Sequence, residues 1–323
     1  MPVTPPTRRS GIRRSSGRTG PDGWAWGLRL AWIVLPFTLG PLLATAVGGL
    51  DPPVRTVVSL EAWVAWTVAM VAAFIAHPAA LTALRLGAGA ALGAAAAAAS
   101  SALTLGGGVG VVALTAAVAA AALSFSTPVA YRWVNGFAYP NERRFPLRTP
   151  APLLFGPLAL TAAAICAGIA GGPLLIAADR IVLGVAATVV GWPLAWLLAR
   201  SVHNLARRWV VFVPAGVVLH DPMALVDPVL FSRQNITGLT AGRGVSGENG
   251  PSGEIVDLSL RAPGLALRLT FSPATSLSLL RPGHRLGRQV KVTSLVFTPV
   301  RPGQVMQEAR RRRLAGLRPS SAP

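Results

Sequence analysis

Apolar residues along this chain fall into two regimes. Between Trp24 and Arg200 they form six long runs almost free of charge, at 30–46, 57–76, 86–105, 109–125, 152–177 and 181–198. After Arg207 the runs shorten and apolar residues begin to alternate with polar ones. A helix needs about 20 apolar residues to cross the hydrocarbon of a bilayer, because each adds about 1.5 Å of rise. The first regime therefore predicts six membrane-spanning helices. The run at 86–105 is mostly alanine and inserts poorly alone, so it depends on its neighbours. In the second regime a period of two predicts strands that each offer one apolar face to a shared core.

Turn residues divide the strand-like region. Trp209–Val213 and 217–220 flank Pro214-Ala215-Gly216 and predict a hairpin, and 229–236 is a third run. Val256, Leu258 and Leu260 alternate with polar neighbours, as do Leu265, Leu267, Leu269 and Phe271; Pro263-Gly264 between the two sets predicts a second hairpin. Residues 242–253 read as a flexible loop and 290–298 as a further strand. Pro302 opens a helix reaching about Leu314, with Val305, Met306 and Ala309 facing inward. The expected organisation is a disordered basic tail (1–23), a helical membrane domain (24–200), a mainly-β domain with a terminal helix (201–315) and a short disordered tail (316–323).

Short antiparallel strands closed by one helix resemble the pleckstrin-homology-like (PH-like) domains appended to bacterial membrane proteins. The resemblance lies in WVVFVPAGVVLH from Trp209 to His220, QNITGL from Gln234 to Leu239, and LVFTP from Leu295 to Pro299 leading into 303–313. It covers roughly the last third of the chain and follows strand order more than any distinctive motif. The fold class it implies is an all-α membrane bundle followed by a small mainly-β PH-like domain. In lipid-binding members of the wider family, basic residues flank the first hairpin. Here that turn holds no lysine or arginine, so a protein partner or a structural role fits at least as well.

Charge settles the expected orientation. The stretch before the first run holds Arg8, Arg9, Arg13, Arg14, Arg18 and Arg29 against one acid, Asp22. The second connection carries Arg85, the fourth Arg132, Arg143, Arg144 and Arg148, and Arg200, Arg207 and Arg208 follow the last run. Alternate connections hold only Asp51 with Arg55, the glycine-rich 106–110, and Asp179 with Arg180. Six crossings put every arginine-rich side on one face, which the positive-inside rule makes cytoplasmic, with both termini there. The expected location is the bacterial plasma membrane. A cleavable leader ending at Ala44-Thr45-Ala46 is a competing reading; it would leave five spans and the same placement of the C-terminal domain.

Composition agrees: 52% of the residues are hydrophobic and only 13% charged, far from the balance of soluble domains. The formal charge of +19 raises nucleic acid as a partner, but the arginines sit beside the apolar runs and no nucleic-acid role is expected. Arg310, Arg311, Arg312 and Arg313, with Arg143 and Arg144, are candidate contacts with an anionic leaflet. The connection 126–149 mixes aromatics with arginines and is either a basic connector, a headgroup-binding element or a segment that docks on the C-terminal domain. Gly89 with Gly93 and Gly168 with Gly172 have small-residue spacing for close helix packing, within one bundle or between two copies. Most tryptophans read as interfacial anchors.

Candidate chemistry is sparse. The four histidines are scattered without metal-ligand spacing, and the glycine-rich stretches lack the Lys-Ser/Thr of a P-loop. The single cysteine, Cys166, lies in an apolar run and reads as an inert thiol. His220-Asp221 reads as a strand-end turn. Glu61 and Arg85 lie near span ends, with no ionisable residue near the middle of any span, which argues against a proton-coupled carrier. No catalytic residue, metal or cofactor is expected. The reading favoured is a membrane scaffold or regulatory protein whose C-terminal domain binds a cytoplasmic protein or the anionic leaflet. The alternative is a transporter of small molecules or lipids, using spans broken by Pro36, Pro41 and Pro193.

Overall fold

The computed structural model describes residues 23–99, 107–154, 156–242, 249–250, 253–281 and 284–314. The helical part contains, in order, α1 (Gly23–Ala46), α2 (Pro52–Ala72), α3 (Pro78–Ala97) and α4 (Gly107–Phe125). A structured connection follows: α5 (Thr127–Asn135), β1 (Arg143–Pro146) and α6 (Ala151–Leu154). The hairpin of α7 (Pro157–Ala177) and α8 (Ile181–Ala206) ends it. Six of these helices are long and apolar enough to cross a membrane and fit a multi-pass membrane protein. The tails expected to be disordered fall outside the described residues, Gly23 excepted.

Helix boundaries shift from expectation because proline starts helices. Pro has no N–H to waste in the first turn, and its fixed φ suits the helix. Pro52-Pro53 start α2, and Pro78 starts α3, where His77 Nδ1 accepts the Ala79 amide at 3.1 Å. Both helices begin several residues earlier than apolarity alone suggests. Glu61 therefore sits at the middle of α2, and Arg85 lies two turns inside α3 rather than in a connection. The expectation of charge-free span centres is thus corrected.

Leu28, Trp32, Leu35, Leu39 and Leu42 form the buried stripe of α1, facing Ala113, Ala117 and Ala120 of α4. Outward faces carry large apolar side chains such as Phe37, Leu160 and Val182, exposed by 77%, 72% and 87%. So large an apolar surface requires an apolar solvent. Four prolines inside helices, Pro36, Pro41, Pro173 and Pro193, each leave a carbonyl four residues back without its amide, and at two of them an indole takes the amide's place. Pro36 orphans the Trp32 carbonyl, and Trp66 Nε1 donates to it at 2.7 Å. Pro173 orphans the Ile169 carbonyl, and Trp192 Nε1 donates to it at 3.2 Å. At these two positions the indoles meet the bilayer's demand that a backbone group be satisfied within the protein. Trp32 and Trp133 are fully buried in the bundle core, so neither is an interfacial anchor.

The C-terminal region contains antiparallel sheets and a final helix. One sheet orders β1-β2-β3-β4, with β2 (Trp209–Val213), β3 (Gly216–His220) and β4 (Val229–Ser232). The second orders β5-β8-β9-β7-β6, with β5 (Ile236–Ala241), β6 (Asn249–Gly250), β7 (Gly253–Asp257), β8 (Leu267–Arg281) and β9 (His284–Phe297). Helix α9 (Pro302–Arg311) closes the core with Val305 and Ala309. The first predicted hairpin forms, but its turn is Pro214-Ala215 alone: Gly216 already pairs with Val213, which sets Trp209 opposite His220.

The second predicted hairpin does not form. β7 and β8 never pair; β9 lies between them, antiparallel to β8 and parallel to β7. Apolar alternation marks a strand and its inward face but not its neighbour. The sequence-adjacent β8 and β9 pair with each other, leaving β7 the other edge of β9. The run 229–236 also splits, since a turn at Arg233–Asn235 sends β4 and β5 into different sheets.

Strand β2 joins the two parts. Its residues are apolar throughout because both faces are covered. Val210 and Phe212 face the sheet core, while Trp209 and Val211 pack into the helical core. Strand β1, grown from the connection between α4 and α7, pairs with β2 from Arg143 opposite Phe212 to Pro146 opposite Trp209. Beyond it, the Arg148 amide donates to the Thr298 carbonyl at 2.8 Å and the Val300 amide to the Pro146 carbonyl at 2.9 Å, stitching the sheets together.

Candidate functional site

The site that stands out is a cavity of about 320 Å³ where the helical bundle meets the sheets. The first turns of α3 and α7, the end of α8, helix α5 and the segment 146–149 surround it. These ends share one side of the bundle. Trp133 Nε1 of α5 donates to the Ala72 carbonyl at 3.1 Å, and the Thr82 hydroxyl lies 3.0 Å from His203 Nδ1. The side they share is the one that carries Arg29, whose Nε donates to the Ala73 carbonyl at 3.2 Å.

Three arginines reach the cavity. Arg208 is 2% exposed and fully engaged. Its Nε and one terminal nitrogen donate to the two Asp221 carboxylate oxygens at 2.9 and 2.8 Å, and its other terminal nitrogen donates to the Arg148 carbonyl at 3.0 Å. Asp221 also accepts the Met223 amide at 3.1 Å, so this buried pair is bidentate and satisfied. Arg85 and Arg148 differ. Each is half-buried, and the Nε of each is closed to solvent without a hydrogen-bond partner among the described residues. The Arg85 guanidinium stands 5.6 Å from the Phe125 ring centroid. No carboxylate is among the described residues lining the cavity.

The remaining walls are mostly apolar, with Leu81, Leu86, Phe125, Leu158, Val202 and Leu205 beside three threonines, Thr82, Thr127 and Thr149. Ser126 precedes α5 and Gly156 precedes α7, and neither supplies a side-chain cap; the Ser126 hydroxyl has no described partner. Gly156 takes a φ of +114°, open to glycine, and breaks α6 from α7 at this point. The arrangement combines two unpaired cations, two uncapped helix starts and an apolar wall.

The residues singled out from sequence lie elsewhere. Arg143 bonds Tyr131 through Nε at 2.6 Å and lies 3.5 Å from Glu308. Arg144 pairs with Glu142 at 2.8 Å. Burial alone would raise the Glu142 carboxyl, but the Arg144 hydrogen bond and charge, with the Tyr139 amide, hold it below its ordinary value. Arg312 binds Glu308 at 2.7 Å and the Asn141 carbonyl at 3.0 Å, clamping α9 to the connection. Arg310, Arg311 and Arg313 are exposed. Gly168 and Gly172 pack within the chain: a Cβ on Gly168 would stand 2.8 Å from the Gly191 carbonyl, and one on Gly172 would enter the Thr188 backbone. A Cβ on Gly89 would just reach Ala162, and one on Gly93 would meet nothing within 4 Å.

Sequence reasoning missed Arg85 and Arg148 as members of one site, and it read Asp221 as a turn residue. The signal for Asp221 was present. A two-residue turn at Pro214-Ala215, with Gly216 already in β3 opposite Val213, sets Trp209 opposite His220, which puts Arg208 opposite Asp221. Comparison with known proteins returns nothing: no protein-family model, curated protein or solved structure matches the chain.

Proposed function

We propose that this chain is a membrane scaffold or regulatory protein whose sheet region is a fixed, PH-like platform presented to the anionic leaflet or to a protein partner. The observation carrying this reading is that β1 belongs to both halves. It is built from the connection between α4 and α7, yet it is an edge strand of the sheet, so a change in the bundle is felt directly by the platform. Two sheets closed by a C-terminal helix support the PH-like description. The exposed Arg310, Arg311 and Arg313 end the helix that Arg312 ties to Asn141, beside the exposed aromatics Phe137 and Tyr139. Arginines beside amphipathic aromatics suit a headgroup layer. The reading places this face and both termini in the cytoplasm.

The transport alternative needs backbone groups freed by proline to remain open to a ligand. At Trp32 and Ile169 those carbonyls are taken by indoles, which removes both as ligand sites; the carbonyls freed by Pro41 and Pro193, at Phe37 and Val189, have no side-chain donor among the described residues.

A single reporter cysteine tests the proposal. Cys166 is the only cysteine, so Cys166→Ser gives a background in which a label at Arg310→Cys is unique. In full-length protein reconstituted in phosphatidylglycerol bilayers, headgroup-attached quenchers should quench that label, and Arg311→Gln with Arg313→Gln should weaken the quenching. A label unquenched at every lipid composition overturns the leaflet-facing platform.

A further inference from the structure

We propose that the cavity between the bundle and the sheets binds the phosphate of an anionic lipid, with Arg85 and Arg148 as its ligands. This deepens the platform reading and rests on its premise that the six helices lie in a bilayer. The reasoning begins with charge. A guanidinium removed from water is costly unless an anion or a full set of acceptors replaces the lost hydration. Arg208 has such a replacement in Asp221, the Arg148 carbonyl and the Leu258 carbonyl. Arg85 and Arg148 line the same cavity with Nε atoms shielded from solvent, and they have neither acid nor acceptor among the described residues. What they lack is an anion.

Two further features favour an oxyanion. The starts of α5 and α7 border the cavity through Thr127 and Leu158, and both lack a side-chain cap, so the positive helix ends and the first-turn amides that Pro128 and Pro157 do not remove are left for a ligand. Ser126, next in sequence to the lining residues Phe125 and Thr127 though not itself lining the cavity, has a buried hydroxyl without a described partner. Arginine matches the oxygens of a phosphate with paired donors.

Lipid, rather than a soluble anion, follows from position and wall chemistry. The cavity runs from the helix ends to Arg85, two turns inside α3 and within an arginine side chain's reach of the headgroup layer, and basic pockets between spans near that layer suit lipid headgroups. Apart from three threonines, its other walls are apolar, with leucine, valine and phenylalanine side chains that reward the methylenes of a lipid and add nothing to the hold on a soluble phosphate. A volume of about 320 Å³ is at the low end for ligand sites, enough for a headgroup and the first carbons of its chains. The rest of the chains stay in the surrounding hydrocarbon.

The test uses full-length protein, delipidated in detergent and then offered dioleoylphosphatidylglycerol, dioleoylphosphatidylcholine or inorganic phosphate, with bound lipid counted by native mass spectrometry and melting followed in parallel. Phosphatidylglycerol should bind about tenfold or more tightly than phosphatidylcholine and raise the melting temperature, with inorganic phosphate far weaker. Arg85→Gln and Arg148→Gln should each remove most of that preference, while Arg310→Gln with Arg313→Gln should keep it. Equal binding of the two lipids by the unaltered protein overturns the proposal and needs no variant to fold. So does retention of the preference in both cavity variants. Phosphate binding as tightly as the lipid overturns the lipid assignment. Because the label at position 310 reads a different surface, this site and the platform fail independently.

Discussion

Trp66→Phe tests whether an indole stands in for the amide that Pro36 removes. In an unbroken helix the residue at 36 would donate to the Trp32 carbonyl; proline cannot, and Trp66 Nε1 approaches that oxygen to 2.7 Å. Phenylalanine keeps most of the ring and deletes only the donor. With no water in the hydrocarbon to replace it, an unsatisfied carbonyl costs about 1–3 kcal/mol. Hydrogen bonds between membrane helices, measured by double-mutant cycles, average about 0.6 and reach about 1.7 kcal/mol, so a coupling near 1 kcal/mol is expected here. The cycle pairs Trp66→Phe with Pro36→Ala, which restores an amide to the Trp32 carbonyl. Unfolding of the four proteins by titrating sodium dodecyl sulfate into mixed micelles, followed by circular dichroism, gives the coupling. Trp66→Phe should shift the unfolding constant about fivefold more in the proline background than in the alanine background. Equal costs in the two backgrounds, within about 0.3 kcal/mol, would refute the substitution of indole for amide.

Two further outcomes follow from the sheet region. Asp221→Asn leaves the Arg208 guanidinium buried without its counter-charge, at a cost of about 3–5 kcal/mol, whereas Arg208→Met with Asp221→Leu should be far less harmful; thermal melting of the full chain should rank them so. His220 stacks on Trp209 with ring centroids 5.1 Å apart, and its Nδ1 lies 2.7 Å from the Arg207 carbonyl. Burial, helped by the Arg207 charge, holds this imidazole below its ordinary value. The folded chain therefore takes up that proton less readily than the unfolded one. Its contribution to stability is complete above the ordinary histidine range and is lost as pH falls through the folded value. A histidine NMR titration should give a depressed value for His220, and His220→Gln should flatten the stability profile in that range.

Much of the architecture was legible in one dimension. Spans announce themselves because hydrocarbon thickness demands long apolar runs, and the hairpin from Trp209 to His220 because its turn and alternation are local. The starts of α2 and α3 were less legible, since a hydropathy window blurs across Pro52 and Pro78; that blur moved Arg85 out of its helix and Glu61 away from the centre of its own. Tryptophan also misled. Its habit of sitting at interfaces hid a second use, as a donor to carbonyls that proline strands within the same bundle.

Taken alone, the order of residues determined how many helices suit a bilayer, which connections carry arginine, and where strands begin. Each of those depends on composition or on neighbours a few positions apart. Tertiary structure decided that β9 separates β7 from β8, that β1 crosses from the helical half into the sheet, and that Arg85, Arg148 and Arg208 share one cavity. Partners so distant along the chain are chosen by which edges and faces remain open after the local pairings form. The same process left two cations facing a space that no acid of the described chain fills.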